Sequence, residues 1–241
     1  MTDLQIFDDQ QATVIAAANH IRENASAAIK SHGRFSIALS GGSTPKAVYE
    51  LLSTDPYSQQ IDWANVYIFW GDERCVPPDH KDSNYHMAHE TLLSHVPIPP
   101  DNIYRMQGDI DPAQAAAEYE QQLRTFFGKD ESPRFDLILL GMGDDAHTAS
   151  LFPTTAAIHE ASRWVIAHFV DKLSTWRLTL TPVAINAAVQ VTFLVIGDNK
   201  AKPLKHVLEG DYDPDHFPSQ IVKPTNGHLT LLVDQSAATL L

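Results

Sequence analysis

Cysteine is almost missing from this chain: Cys75 is the only one in 241 residues. No internal disulfide and no multi-cysteine zinc site can therefore form, and a reducing cytosol is the expected setting. Cations are scarce as well. Against 30 Asp+Glu stand 17 Lys+Arg, a formal net charge of −13 with the 12 His neutral. That balance argues against a nucleic-acid or membrane-surface binder, because polyanionic partners need a basic face. Long apolar runs are absent too: Leu137–Leu140 and Val191–Ile196 fall far short of the roughly 20 residues that cross a bilayer. The segment Met1–Gln10 carries Asp3, Asp8 and Asp9 and lacks the basic stretch and apolar run of a signal peptide. Repeats and low-complexity segments do not occur, and the proline clusters at Pro77-Pro78, Pro97–Pro100 and Pro214–Pro218 are too short for domain linkers. With 44% hydrophobic and 20% charged residues, one cytoplasmic globular domain over residues 1–241 is the expectation.

What the chain does contain is an alternation of short apolar runs with longer amphipathic ones. Asp9–Ser31 carries Val14, Ala17, Ala18, Ile21, Ala25, Ala28 and Ile29 at helical spacing, with Gly33 as the stop. Further helices are predicted near Pro45–Ser53, Asn84–Ser94, Pro112–Phe127, Pro182–Ala188 and Asn199–Leu208. Strands are predicted at Phe35–Leu39, Val66–Trp70, Phe135–Leu140, Trp164–Val170, Leu178–Thr181, Val191–Ile196 and Leu229–Val233. The pattern predicts an α/β domain with a mostly parallel sheet flanked by helices. Ligands of such sheets sit beyond the carboxyl ends of the strands. Three strands end in unusual polar loops, at Ser40–Pro45, Gly71–Arg74 and Gly141–Thr148, which parallel neighbours would open into one crevice.

Each loop admits a functional and a plainer reading. Gly41 and Gly42 turn the chain tightly ahead of a helix whose first position suits Pro45, and Ser43 and Thr44 add hydroxyls beside its free N–H groups. This is a recipe for a phosphate cradle, or simply a capped helix after a glycine turn. It lacks the Gly-Lys-Ser/Thr element of a nucleotide P-loop. Gly141, Gly143 and Ala146 trace the outline of a dinucleotide fingerprint, but the polar crowd at Asp144, Asp145, His147 and Thr148 and the early Pro153 speak against the long helix it should open. Asp145 and His147 instead offer a carboxylate that orients and an imidazole that acts as general base, unless they are a capping Asp and an incidental His. Glu73 and Arg74 form either a buried ion pair or an anion contact. Cys75 reads as a small buried residue rather than an activated thiol, and His86 and His89 as solvated surface rather than metal ligands. Arg177 and Lys200, near strand ends, supply the charge that an anionic substrate requires.

Taken in order, Ser40-Gly41-Gly42-Ser43-Thr44-Pro45, Gly71-Asp72-Glu73-Arg74-Cys75-Val76-Pro77, Asp82-Ser83-Asn84, Leu140-Gly141-Met142-Gly143, His147-Thr148-Ala149-Ser150-Leu151-Phe152-Pro153, Arg177-Leu178-Thr179-Leu180-Thr181 and Gly197-Asp198-Asn199-Lys200-Ala201 resemble the motifs of the 6-phosphogluconolactonases. The resemblance implies a modified Rossmann-like fold, shared with glucosamine-6-phosphate deaminases and ribose-5-phosphate isomerases. It also implies hydrolysis of 6-phosphoglucono-1,5-lactone to 6-phosphogluconate in the oxidative pentose phosphate pathway, with no metal or organic cofactor. His147 would be the general base with Asp145 beside it. Substrate binding would fall to Gly41, Gly42, Ser43, Thr44, Asp72, Glu73, Arg74, Asn84, Arg177 and Lys200. The partner would be a phosphorylated sugar lactone, with the protein a monomer or homodimer.

Two positions depart from the family pattern. Asp144-Asp145-Ala146-His147 stands where the family usually has Pro-Asp-Gly-His, and Thr154 where it commonly has Gly. If the family's glycine adopts φ > 0, Ala146 costs about 1–2 kcal/mol there, and the extra charge of Asp144 tends to raise the pKa of a neighbouring His. A sugar-phosphate deaminase or isomerase on the same fold is the nearest alternative, but the segment after His147 lacks the acid that the deaminases carry. A non-catalytic sugar-phosphate sensor would be expected to lose the base.

Overall fold

A computed structural model describes residues 2–128 and 132–241. The chain runs β1 (Thr2–Phe7), α1 (Gln10–His32), β2 (Phe35–Leu39), α2 (Ser43–Leu52), α3 (Tyr57–Gln60), β3 (Val66–Trp70), β4 (Asp72–Arg74), α4 (Asn84–Ala88), α5 (Pro112–Phe127) and β5 (Leu137–Gly141). It continues through β6 (Val165–Val170), β7 (Thr175–Leu180), α6 (Pro182–Asn186), β8 (Gln190–Val195), α7 (Ala201–Glu209) and β9 (His228–Asp234). Six strands form one sheet in the order β1-β9-β8-β5-β2-β3, with every pairing parallel.

Side chains alternate across that sheet and so feed two cores. Ile37, Leu39, Leu137 and Leu139 face Val14, Ala17, Val48 and Tyr49 of α1 and α2. Ala38, Ile138 and Leu140 face the other way, toward Ala115, Tyr119 and Leu123 of α5. The period-two alternation of a strand explains why residues one apart join opposite cores, and why β2 and β8 are buried throughout. Helix α1 begins where the Asp9 carboxylate accepts the Ala12 N–H at 2.8 Å and ends where Gly33 takes φ 83°.

The α/β class and most predicted strands are present, with two corrections. Segments Val165–Val170 and Thr175–Leu180 do not join the parallel sheet; they form an antiparallel hairpin that pairs with β4 in a second sheet, ordered β4-β7-β6. Only residues 171–174 link them, and a parallel neighbour would need a crossover of about a dozen residues or more. Strands β1 and β4 were not expected: β1 is an exposed edge strand, and Asp72–Arg74 reads as a polar loop.

The helices need smaller corrections. Helix α2 starts at Ser43 rather than Pro45, with Gly42 at the N-cap in a φ of 102° and no side-chain cap. The Asn84–Ser94 helix is α4 followed by a π-helical turn at His89–Leu93. No helix among the described residues is long and apolar enough to cross a membrane.

Candidate active site

The carboxyl ends of β2, β3, β5 and β8 meet at one cleft of about 580 Å³, lined by Ser40–Gly42, Asp72, Arg74, residues 141–144, His147, Arg177 and Lys200 among others. The three polar loops expected to share a crevice do share it. Two buried tyrosines fix its floor. The Tyr49 hydroxyl donates to the Ser40 carbonyl at 2.9 Å and accepts the Ser40 N–H at 3.0 Å. Tyr119 repeats the arrangement on Trp70, at 3.2 and 2.9 Å. Burial pushes both phenols well above their usual range, so they serve as neutral donors.

Beyond β5 the chain closes a tight loop. Gly143 N–H donates to the His147 carbonyl at 2.8 Å, the Thr148 hydroxyl donates to the Gly141 carbonyl at 2.8 Å, and Ala146 lies at φ 60°. The strain foreseen at Ala146 is present. It is held by Ser219, whose N–H and hydroxyl both donate to the Ala146 carbonyl, at 3.0 and 2.7 Å. Thr154 also takes φ 60°, and Ala149 takes φ 47°. Gly143 has no room for a side chain, because a Cβ there would overlap the His147 ring.

This loop sets His147 Nδ1 at 2.5 Å from Asp145 Oδ1. The other oxygen of Asp145 accepts from Lys172 Nζ at 2.7 Å. Burial raises the Asp145 carboxyl, but the hydrogen bonds from His147 and Lys172 outweigh it and hold the group well below the usual carboxylate range. An ionised carboxylate can only accept, so Nδ1 donates the proton of this hydrogen bond. The His147 ring stacks on Phe152, with centroids 4.2 Å apart.

Arg74 and Arg177 stand opposite one another in the β4–β7 pairing. Burial and the neighbouring Arg74 charge pull the Arg177 pKa down. Like charges placed across a strand pair destabilise unless an anion joins them. Among the described residues, neither the Arg177 nor the Lys200 side chain has an ion-pair partner. Asp72 is held by Ser150 Oγ at 2.7 Å and by the Asn84 amide, which reaches the Asp72 carbonyl at 2.8 Å. Gly41 lies so close to that amide that a Cβ would overlap it.

Not every predicted residue lines the cleft. Glu73 is buried behind it, where its carboxylate accepts the N–H groups of Arg74, Asn84 and Tyr85 at 2.8, 2.7 and 2.8 Å and the Ser83 hydroxyl at 3.1 Å. It therefore organises the turn that presents Asn84, and the Glu73–Arg74 ion pair does not form; the Arg74 guanidinium bonds the Asp82 carbonyl instead. Ser43 and Thr44 begin α2 outside the cleft lining, which reaches only Gly41 and Gly42 of that turn. No helix follows β5 directly, so the dinucleotide reading of Gly141–Ala146 has no helix terminus to receive a pyrophosphate. Burial pushes the Cys75 thiol up to about 11, and the described residues hold no cluster of metal-ligating side chains.

Sequence reasoning missed Lys172, Ser150 and Phe152. Lys172 sits at the tip of the β6–β7 hairpin, and only the pairing of that hairpin with β4 brings it over the Asp145 loop. A larger hollow of about 680 Å³ lies at the amino ends of β5, β8 and β9. Its imidazole, His159, is exposed and already paired with Asp215.

The geometry has close counterparts. Residues 8–231 match the family model described as glucosamine-6-phosphate isomerases/6-phosphogluconolactonase. A 6-phosphogluconolactonase of Nostoc sp. is 44% identical over 237 residues, 97% of this chain and 96% of that protein. The structure of 6-phosphogluconolactonase from Trypanosoma cruzi superposes with a TM-score of 0.89 at 30% identity, covering 100% of this chain and 97% of that one. A monomeric glucosamine-6-phosphate deaminase shares the fold, with a TM-score of 0.84 at 20% identity over 99% of this chain and 100% of that one. The chain belongs to the glucosamine-6-phosphate isomerase/6-phosphogluconolactonase family.

Proposed function

We propose that the chain hydrolyses 6-phosphoglucono-1,5-lactone to 6-phosphogluconate in the oxidative pentose phosphate pathway, with His147 as general base. The observation that carries this reading is an imidazole whose Nδ1 is engaged by Asp145 and which lines the same cleft as Arg74, Arg177 and Lys200. One end of the cleft can move a proton while the other holds an anion.

The chemistry follows from the lactone being an ester. His147 Nε2 takes a proton from water as the water oxygen bonds to C1, and the carbonyl electrons move onto oxygen. Backbone N–H groups at the cleft's strand ends compensate the oxyanion so formed. When it collapses, the bond from C1 to the ring oxygen breaks and the imidazolium returns its proton to that oxygen. Asp145 keeps the ring oriented and stabilises its charged form. Arg177 and Lys200, with Arg74 and the Gly41–Gly42 turn, grip the 6-phosphate, so that binding energy remote from C1 orients it. Asp72 and Asn84 would meet sugar hydroxyls.

Kinetics of variants test the roles. His147→Ala should lower kcat on the order of 10²-fold or more while leaving KM little changed; an unchanged kcat would remove His147 from the reaction. Arg177→Ala or Lys200→Ala should raise KM for the phosphorylated lactone and barely alter the slower turnover of unphosphorylated gluconolactone. Equal losses on both substrates would contradict the phosphate assignment.

A further inference from the structure

We propose that Lys172 is a positioning residue for the base, tuning His147 through Asp145 so that the imidazole stays neutral at the pH where it must accept a proton. The inference deepens the hydrolytic reading and rests on His147 acting as base. Its ground is geometric. Lys172 Nζ lies 2.7 Å from Asp145 Oδ2 while His147 Nδ1 lies 2.5 Å from Oδ1, so the two oxygens of one carboxylate are divided between a permanent cation and a ring that can become one.

Each partner has a consequence. A carboxylate engaged only by His147 favours the imidazolium and would raise the ring's pKa, leaving less free base near neutrality. A lysine on the far oxygen spreads the same negative charge over two cations and adds repulsion toward a protonated ring. It also fixes carboxylate rotation, so that Oδ1 continues to face Nδ1 and the lone pair stays on Nε2. Besides Asp145, the ionisable groups sharing the cleft with His147 are Asp72, Arg74, Asp144, Arg177, Lys200 and Lys172 itself. Asp144 acts against Lys172, since its charge favours a protonated ring.

Position strengthens the assignment. Lys172 lies on a short 3-10 turn between β6 and β7, Asp171–Leu173, closed by Ser174 in the left-handed region at φ 49°. The hairpin that carries it pairs through β7 with β4, so one element presents both Arg177 to the anion end of the cleft and Lys172 to the base. The lysine side chain is 62% exposed, so its influence is screened by solvent and the expected shift is moderate.

The test compares wild type with Lys172→Met and Lys172→Arg by two readouts. Histidine NMR, with the His147 signal assigned through His147→Gln, should show the ring pKa of Lys172→Met raised by about half a unit to one unit, and that of Lys172→Arg near wild type. The acid limb of the kcat/KM profile for 6-phosphogluconolactone should move by the same amount in the same direction, with KM above the limb within about twofold of wild type. An unmoved limb and ring pKa with a raised KM would make Lys172 a substrate contact and overturn the proposal. A ring that shifts in a protein that does not turn over the lactone would overturn the hydrolytic reading while leaving the effect of Lys172 on His147 standing.

Discussion

At the scale of single residues, the site depends on positions where chemistry and backbone disagree. Ala146, Ala149 and Thr154 all occupy the left-handed region, which costs an L-residue about 1–2 kcal/mol. Thr154 is the clearest case, being β-branched, exposed and fixed by its N–H bond to the Asp215 carbonyl at 2.8 Å. Replacing it by glycine should stabilise the protein by about 0.5–1 kcal/mol, the relief of strain less the entropy glycine loses on folding. Urea unfolding should show a higher midpoint with an unchanged slope, and a lower midpoint would mean that the Thr154 side chain carries a contact of its own. Asp145 brings a pH dependence. Its carboxyl is depressed in the folded state, so its contribution to stability is present above the unfolded carboxylate pKa of about 4. That contribution disappears as pH falls below this value toward the folded pKa. Asp145→Asn should therefore flatten the loss of stability in acid, and an unaltered acid slope would show that the carboxylate is not so depressed.

At the scale of elements, what was legible depended on whether a segment's partners lie in its own pattern. The runs at 35–39, 66–70 and 191–195 are short and mostly apolar, broken only by Ser36, Tyr67 and Thr192, which fits strands covered on both faces. The helix ends at Gly33 and Pro112 follow from local backbone rules. The hairpin β6–β7 hides its direction, because its sequence shows apolar runs but not which way a strand pairs. The expected strands end at Val170 and resume at Leu178, and that gap of seven residues is itself too short for a parallel crossover. Glu73 looked functional because it sits in a motif beside Arg74, whereas its carboxylate is consumed by three backbone N–H groups and a hydroxyl. Lys172 left no trace, since nothing in a charged turn announces the loop it will cover. The loop after β5 is itself testable. Gly143→Ala should keep the fold yet displace the His147 ring, lowering kcat on the order of 10²-fold, because misplacement by about 1 Å is enough for such a loss. Wild-type turnover in that variant would show that the ring is free to move aside.

At the scale of the whole molecule, a net charge of −13 and an anionic substrate are reconciled by locality. Arg74, Lys172, Arg177 and Lys200 converge on one cleft from three separate segments, while the acidic surplus is spread over the rest of the chain. A charge count excludes partners as large as the molecule but says nothing about one small anion at the end of a sheet. The family's fold also carries deaminases, so the decision between chemistries rests on the site. Residues 148–153 place no carboxylate after His147, where a ring-opening acid would be needed. The most direct measurement is hydrolysis of freshly generated 6-phosphogluconolactone, corrected for its spontaneous opening, run beside ammonia release from glucosamine 6-phosphate. The account predicts rapid production of 6-phosphogluconate that His147→Ala abolishes, and no ammonia. Ammonia release without lactone hydrolysis, or turnover of neither compound, would contradict it.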